Sequence, residues 1–230
     1  MKAHLIFTGT ELLLGQIVNT NAQYLGSKLA EIGIDLYSMV TVGDNRSRIT
    51  EAINAAKGKA ELVIINGGLG PTEDDVTREA LADALALELQ ENPVAFEIIS
   101  RFFKSRGLPM PETNTKQALV PEGGKVLDNP IGTAPGLLVC HDASIYVLLP
   151  GPPKEMATMF EQEVIPYLQK EYQVGGEIKS RILKVVGLGE PGVEERVKDL
   201  VGSINPTLAP TVKRGEVHLR ITAKADNPEK

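Results

Sequence analysis

Asn66-Gly-Gly-Leu-Gly-Pro-Thr-Glu-Asp-Asp-Val-Thr77 is the stretch on which the fold turns. It follows Leu62-Val-Ile-Ile65, an apolar run of strand length. It precedes Arg78-Glu-Ala-Leu-Ala-Asp-Ala-Leu85, whose apolar residues have helical spacing. A glycine turn between strand and helix is where an open α/β sheet holds an anion at a helix N-terminus. Gly67, Gly68 and Gly70 let backbone approach such a ligand closely. Thr72 and Asp75 also fit a helix cap, and Asp74 and Asp75 would then favour the dipole by about 0.3–1 kcal/mol. A cap needs one such residue, however. Glu73, Asp74 and Asp75 are three adjacent carboxylates that repel one another and a phosphate alike. A divalent cation between carboxylates and phosphate oxygens resolves that conflict. The stretch therefore predicts a metal-assisted phosphate site on a helix over residues 75–85. Asp75 is its first candidate ligand.

Toward the N-terminus the same alternation repeats. Leu5-Ile-Phe7 reads as a buried strand ending at Thr8-Gly-Thr-Glu11. Asn19 or Asn21 can cap a helix running to about Ile32, which Gly33 closes. Leu36 to Val42 is a second strand, ending at Gly43-Asp-Asn45. Ser47 or Asn45 caps a helix carrying Ile49, Ala52, Ile53 and Ala56. This βαβαβ order predicts an α/β fold, a parallel sheet covered by helices on both faces. Parallel strands end along one sheet edge, so Glu11, Asp44 and Asp75 can converge there. Taken singly, each is an ordinary polar loop residue.

Toward the C-terminus, Pro93 starts a helix with Phe96, Ile99, Phe102 and Phe103 as its buried stripe. Residues 107–136 are rich in Pro and Gly, with room for a short helix over Thr113 to Leu119. Leu137 to Cys140 and Ile145 to Leu149 are two strands joined by a turn. Pro150-Gly-Pro-Pro153 ends the second strand, so Gly151 joins the candidate ligand loops. Lys154 offers a point charge to phosphate. A helix follows from about Lys154 to Gln169. Gln173-Val-Gly-Gly176 reads as a linker. Beyond it a βαββ order predicts a small α+β unit over residues 177–230, cut short, after a main domain over residues 1–172. Gly187-Leu-Gly-Glu-Pro-Gly192 fits a dinucleotide-binding glycine pattern, but no βαβ unit or acidic ribose partner accompanies it.

The bulk numbers narrow the function classes. The chain has 230 residues, 42% apolar and 23% charged. A net charge of −6 argues against a broad nucleic-acid or membrane surface. The single cysteine, Cys140, excludes an internal disulfide and lies in an apolar run that predicts a core position. No signal-peptide pattern opens the sequence and no run approaches membrane-span length, so the cytoplasm is the expected compartment. His4, His141 and His218 stand apart, with no metal-ligand spacing and no triad grouping.

Several ordered motifs resemble one family. They are Thr8-Gly-Thr-Glu-Leu12, Gly15 with Asn19 and Asn21, Val42-Gly-Asp-Asn45, the Gly67–Thr77 run and Leu149-Pro-Gly-Pro-Pro-Lys-Glu155. Together they look like the N-terminal domain of the CinA competence/damage-inducible proteins, within the MoaB/MogA-like molybdopterin-binding superfamily. Residues beyond about 175 resemble the small KH-type middle domain of CinA, and no amidase domain follows. The resemblance implies a three-layer α/β/α domain and a homodimer. For the CinA branch it implies metal-dependent hydrolysis of ADP-ribose to AMP and ribose 5-phosphate, with Mg²⁺, Mn²⁺ or Co²⁺. In the molybdopterin branch two functional aspartates occupy the positions of Asp44 and Asp75. Leu69 stands where that branch has Thr, which favours the CinA reading. On this basis Asp75, with Asp74 or Asp44, holds the metal. Gly67, Gly68, Gly70, Thr72, Asn19, Gly151 and Lys154 bind the nucleotide, and Asp44 or Glu11 acts as general base. The alternatives are a pterin- or nucleotide-binding module without turnover, and adenylyl transfer to molybdopterin.

Overall fold

The computed structural model describes residues 1–172 and 174–225. Gln173 of the expected linker and residues 226–230 lie outside the described residues. The chain falls into two compact units, one of Met1–Ser27 with Asp35–Gln173, the other of Lys28–Ile34 with Val174–Lys230.

The first unit begins β1 (Lys2–Thr8), α1 (Thr10–Leu13), α2 (Thr20–Glu31), β2 (Asp35–Val42), α3 (Arg46–Ala56), β3 (Leu62–Asn66) and α4 (Thr77–Leu85). It continues with β4 (Leu89–Glu91), α5 (Pro93–Ser105), a 3-10 turn (Glu112–Ala118), β5 (Leu119–Pro121), β6 (Lys125–Leu127), β7 (Gly136–His141) and β8 (Ser144–Leu149). It closes with α6 (Pro153–Met159) and α7 (Ile165–Tyr172), joined by a wider π turn over Phe160–Val164. The six-stranded sheet has the order β2-β1-β3-β8-β7-β6. β2, β1, β3 and β8 are parallel, as the alternation predicts. β7 and β6 add an antiparallel edge, because the β7–β8 connection is a tight hairpin with Asp142 at φ 51°.

Period-two alternation buries both faces of the sheet. Ile6, Val63, Ile65, Tyr146 and Leu148 pack into one cluster with Ile53 of α3, Leu81 of α4 and Ile99 of α5. Their neighbours Leu5, Phe7, Leu62, Ile64 and Val147 are equally buried on the other face. There Met159 of α6 packs so closely on β7 that a Cβ at Gly136 would meet its methyl at 2.6 Å. Helix starts follow local chemistry. Asn45, not Ser47, caps α3 by accepting from the Arg48 N–H at 3.2 Å. Asn19, not Asn21, caps α2, accepting from the Ala22 N–H at 3.0 Å. Asn92 caps α5 ahead of Pro93.

Three local expectations are corrected. α4 starts at Thr77 rather than residue 75, because the Thr77 N–H and hydroxyl bond back to the Gly68 and Gly67 carbonyls and close the loop there. Of the expected α5 stripe Ile99 is buried and Phe103 packs half-buried against the core, with Ala95 and Ile98 buried beside them. Phe96 is one step round the helix and exposed, and Phe102 instead stacks under Arg106 at 3.6 Å. Cys140 is exposed next to the hairpin turn, its sulfur 3.3 Å from the Tyr167 hydroxyl.

The second unit contains β9 (Glu177–Val186), α8 (Glu190–Val201), β10 (Thr207–Lys213) and β11 (Glu216–Ala225). Its antiparallel sheet has the order β10-β11-β9. Val193 of α8 packs with Val217 and Leu219 of β11 as a small core.

At the C-terminal edge of the main sheet a side-chain knot joins three elements. The Asn66 amide donates to the Pro150 carbonyl at 2.6 Å. The Asn21 amide donates to Asn66 Oδ1 and to the Gly151 carbonyl, both at 2.8 Å. β3, α2 and the β8–α6 loop are thereby held in register. Two outcomes follow for urea unfolding. Ile64→Ala, in the middle of the central strand, lowers stability by about 2–5 kcal/mol. Asn66→Ala leaves buried partners unpaired and lowers it by about 1–3 kcal/mol.

Candidate functional site

The loop between β3 and α4 is organised by where its carbonyls go. Gly67 O accepts from the Thr77 hydroxyl at 2.9 Å, and Gly68 O from the Thr77 N–H at 3.2 Å. Leu69 O accepts from Arg78 Nη1 at 2.9 Å and from Gln117 Nε2 at 3.1 Å. A trans peptide sets the next N–H antiparallel to each carbonyl. The N–H groups of Gly68, Leu69 and Gly70 therefore face away from Thr77 and Arg78. No described residue accepts from them. Gly68, Leu69 and Gly70 line a cavity of about 240 Å³, with Asp75, Glu155 and Gly151 among its other walls. Gly67 and Gly68, at φ 109° and 64°, make this geometry possible. A side chain at Gly68 would overlap the Thr77 hydroxyl. The result is a run of unpaired backbone donors of the kind that cradles phosphate.

Asp75 lies against this run, so close that a Cβ at Gly70 would overlap its carboxylate. Its Oδ2 accepts from the Thr72 N–H at 2.9 Å and from the Thr72 hydroxyl. Thr72 thus orients Asp75 and does not itself line the cavity. Lys116 clamps the loop from outside, donating to Thr72 O at 3.1 Å and Asp75 O at 2.6 Å. Its ammonium also pairs with Glu79 Oε1 at 3.3 Å. Across the cavity Glu155 Oε2 accepts from the buried Asn129 amide at 2.8 Å. Asn129 Oδ1 in turn accepts from the Ile131 and Gly132 N–H groups, which fixes the opposite loop.

A second cavity of about 120 Å³ adjoins the first, with Gly151 on the walls of both. Glu11, Asn19, Asn21, Asn66 and Thr8 line it. The two volumes together reach the lower range of small-ligand sites.

The predicted residues sort accordingly. Asp75, Gly68, Gly70 and Gly151 meet in the larger cavity. Glu11 and Asn19 meet in the smaller one, and Asn19 also caps α2. Gly67 forms the turn but lines neither cavity, and its N–H is taken by the Leu149 carbonyl at 2.9 Å. Asp44 shares the sheet edge but lines neither of these two cavities. Its Oδ2 accepts from the Thr10 N–H at 2.8 Å and the Thr10 hydroxyl at 2.9 Å, holding the turn that carries Glu11. Asp74 is exposed and lines neither cavity. Lys154 is exposed and lines neither cavity. Asp44, Asp74 and Asp75 therefore do not share one of these two cavities. Among the described residues no three His, Cys, Asp or Glu side chains are grouped to hold a metal. The donor chemistry still suits a hard divalent cation held by Asp75 when phosphate oxygens and water supply the other ligands.

Asn21, Asn66, Arg78, Lys116, Gln117 and Glu155 shape the site without being singled out by sequence for that role. Asn66 carries the one signal that could have found it, a polar residue closing an otherwise apolar strand. Arg78 is 1% exposed. Burial pushes its guanidinium down to about 10, against the upward pull of Glu79 and Asp75. It stays charged at neutral pH. The glycine pattern at 187–192 leads into α8 and the small core. No helix among the described residues is long and apolar enough to cross a membrane.

Comparison with known proteins agrees with this architecture. Residues 4–170 match the family described as "Probable molybdopterin binding domain", and residues 180–230 match the CinA KH domain. A competence-damage inducible protein of Moorella thermoacetica is 55% identical over 229 residues, 100% of this chain and 55% of that protein. A CinA-like protein of Kosmotoga olearia is 51% identical over 230 residues, again 100% of this chain and 55% of the relative. The chain thus spans about half the length of the curated relatives it matches. The solved CinA of Thermoplasma acidophilum superposes with a TM-score of 0.66 at 33% identity, covering 74% of this chain and 98% of that one. The molybdopterin biosynthesis enzyme MoaB of Thermus thermophilus shares the fold, with a TM-score of 0.51 at 20% identity over 74% of this chain and 92% of its own. By sequence and by fold, this chain belongs to the molybdopterin-binding domain family, in its CinA branch.

Proposed function

We propose that the paired cavities bind ADP-ribose and that the first unit hydrolyses its pyrophosphate to AMP and ribose 5-phosphate. The observation that carries this reading is the run of unpaired Gly68, Leu69 and Gly70 N–H groups beside the Asp75 carboxylate. Backbone donors fixed in advance stabilise charge on phosphate oxygens without reorganising. The adjoining cavity at Gly151 gives room for one nucleoside arm while the pyrophosphate lies over the glycine loop.

Asp75 and Glu155 make the pyrophosphate cavity acidic, so an anionic substrate needs a counter-charge there. A divalent cation, Mg²⁺, Mn²⁺ or Co²⁺, would supply it and lower the pKa of the attacking water. Asp75, with its Oδ2 fixed by Thr72, is the residue to hold it. The three amides orient the reacting phosphate. Of the two base candidates, Asp44 has Oδ2 occupied by two Thr10 donors, whereas Glu11 lines a cavity. In this reading Glu11 takes the proton of the attacking water, the bond to the bridging oxygen breaks, and AMP and ribose 5-phosphate leave. Asp44 positions the Glu11 turn.

Release of AMP from ADP-ribose with each of the three metals tests the activity. Binding of ADP-ribose without release contradicts turnover and leaves a nucleotide-binding module. Asp75→Asn is expected to lower turnover by about 10²–10³-fold while the thermal transition stays in place. Near wild-type turnover of that variant sinks the assignment. Glu11→Gln is expected to lower kcat by about 10²-fold or more with KM nearly unchanged. An equal loss in Asp44→Asn but not in Glu11→Gln would move the base to Asp44.

A further inference from the structure

Arg78 is a buried charge that the chemistry above does not use. Its Nη1 donates to Leu69 O at 2.9 Å and its Nη2 to Pro135 O at 3.3 Å, while Nε finds no partner. Both acceptors are neutral carbonyls. Glu79 and Asp75 act on it only through space. Enclosing a charge without a direct ion pair is strongly unfavourable. Pinning a carbonyl does not require a charge, since the neutral amide of Gln117 already holds Leu69 O at 3.1 Å.

Leu69 lines the larger cavity, and Pro135 follows Ala134, which lines it too. The Leu69–Gly70 peptide has its oxygen on Arg78, and planarity turns its N–H the opposite way. A cation at the oxygen polarises the peptide and strengthens the N–H as a donor. The interior also screens the guanidinium field less than water would. We propose that Arg78 is the fixed counter-charge of the anion bound in this cavity, a positioning residue acting through the Leu69–Gly70 peptide. This rests on the anion-binding half of the function proposed above and is independent of hydrolysis.

The test is calorimetric titration of the full chain with inorganic pyrophosphate in the presence of Mg²⁺, which needs no turnover, for wild type, Arg78→Lys and Arg78→Gln. Thermal unfolding of each is measured in parallel. Arg78→Gln is expected to weaken pyrophosphate binding by about tenfold or more, and Arg78→Lys to keep it within about threefold of wild type. A purely structural role predicts a different pattern. Lys loses the forked bonds to Leu69 and Pro135, so it would bind as weakly as Gln. Equal affinity of wild type and Arg78→Gln overturns the proposal, as does loss in a folded Arg78→Lys. If Arg78→Gln does not fold, the Lys comparison decides alone. Failure of the wild type to bind pyrophosphate overturns both this inference and the anion-binding reading. Arg78-dependent pyrophosphate binding without AMP release from ADP-ribose removes only the hydrolase assignment.

Discussion

Three consecutive carbonyls, Gly67, Gly68 and Leu69, are drawn to the back of their loop by Thr77, Arg78 and Gln117. Everything proposed for this molecule depends on that constraint. Peptide planarity converts it into a row of outward N–H groups, and unpaired backbone donors at a cavity need an acceptor. The rest of the unit supports the geometry. The sheet delivers Asn66 to its edge, Asn66 ties β3 to the β8–α6 loop, and Lys116 fixes Thr72 and Asp75 from outside. A short loop rich in glycine would otherwise be free to turn its peptides over.

The charges set two effects against each other. A carboxylate near a helix start contributes only about 0.3–1 kcal/mol, whereas an enclosed guanidinium carries a penalty several times larger. That penalty marks Arg78, rather than the run of acids conspicuous in the sequence, as the feature that needs a functional explanation. Glu73 and Asp74 are solvent-exposed loop residues, and only Asp75 of the three lines the cavity. The acidic surplus was legible, but its division between surface and site was not.

Much of the framework could be read directly. Apolar runs ending in Gly, Asp or Thr gave β1, β2, β3 and the parallel order, because period and punctuation are local properties. The Gly67–Thr77 loop and Asp75 stood out because three adjacent carboxylates beside a glycine turn repel one another. Contacts across the sequence were the part that could not be read. Lys116 and Gln117 act on a loop more than forty residues away from a Pro-rich segment with no periodic signal. Asn21 looked like a cap, and the fold places it in a knot with Asn66; the bond of Asp44 to the Thr10 turn was equally out of reach of a sequence reading. Cys140 shows the limit of apolar context, since a residue at the end of a buried strand can still face solvent beside a turn.

The most direct test of the phosphate cradle is amide NMR of ¹⁵N-labelled protein titrated with ADP-ribose in the absence of turnover. Amide protons that gain a phosphate acceptor move strongly downfield. Gly68, Leu69 and Gly70 are predicted to shift together while Gly67, already bonded to Leu149 O, changes little. Saturable binding of ADP-ribose with those three amides unmoved would contradict the cradle.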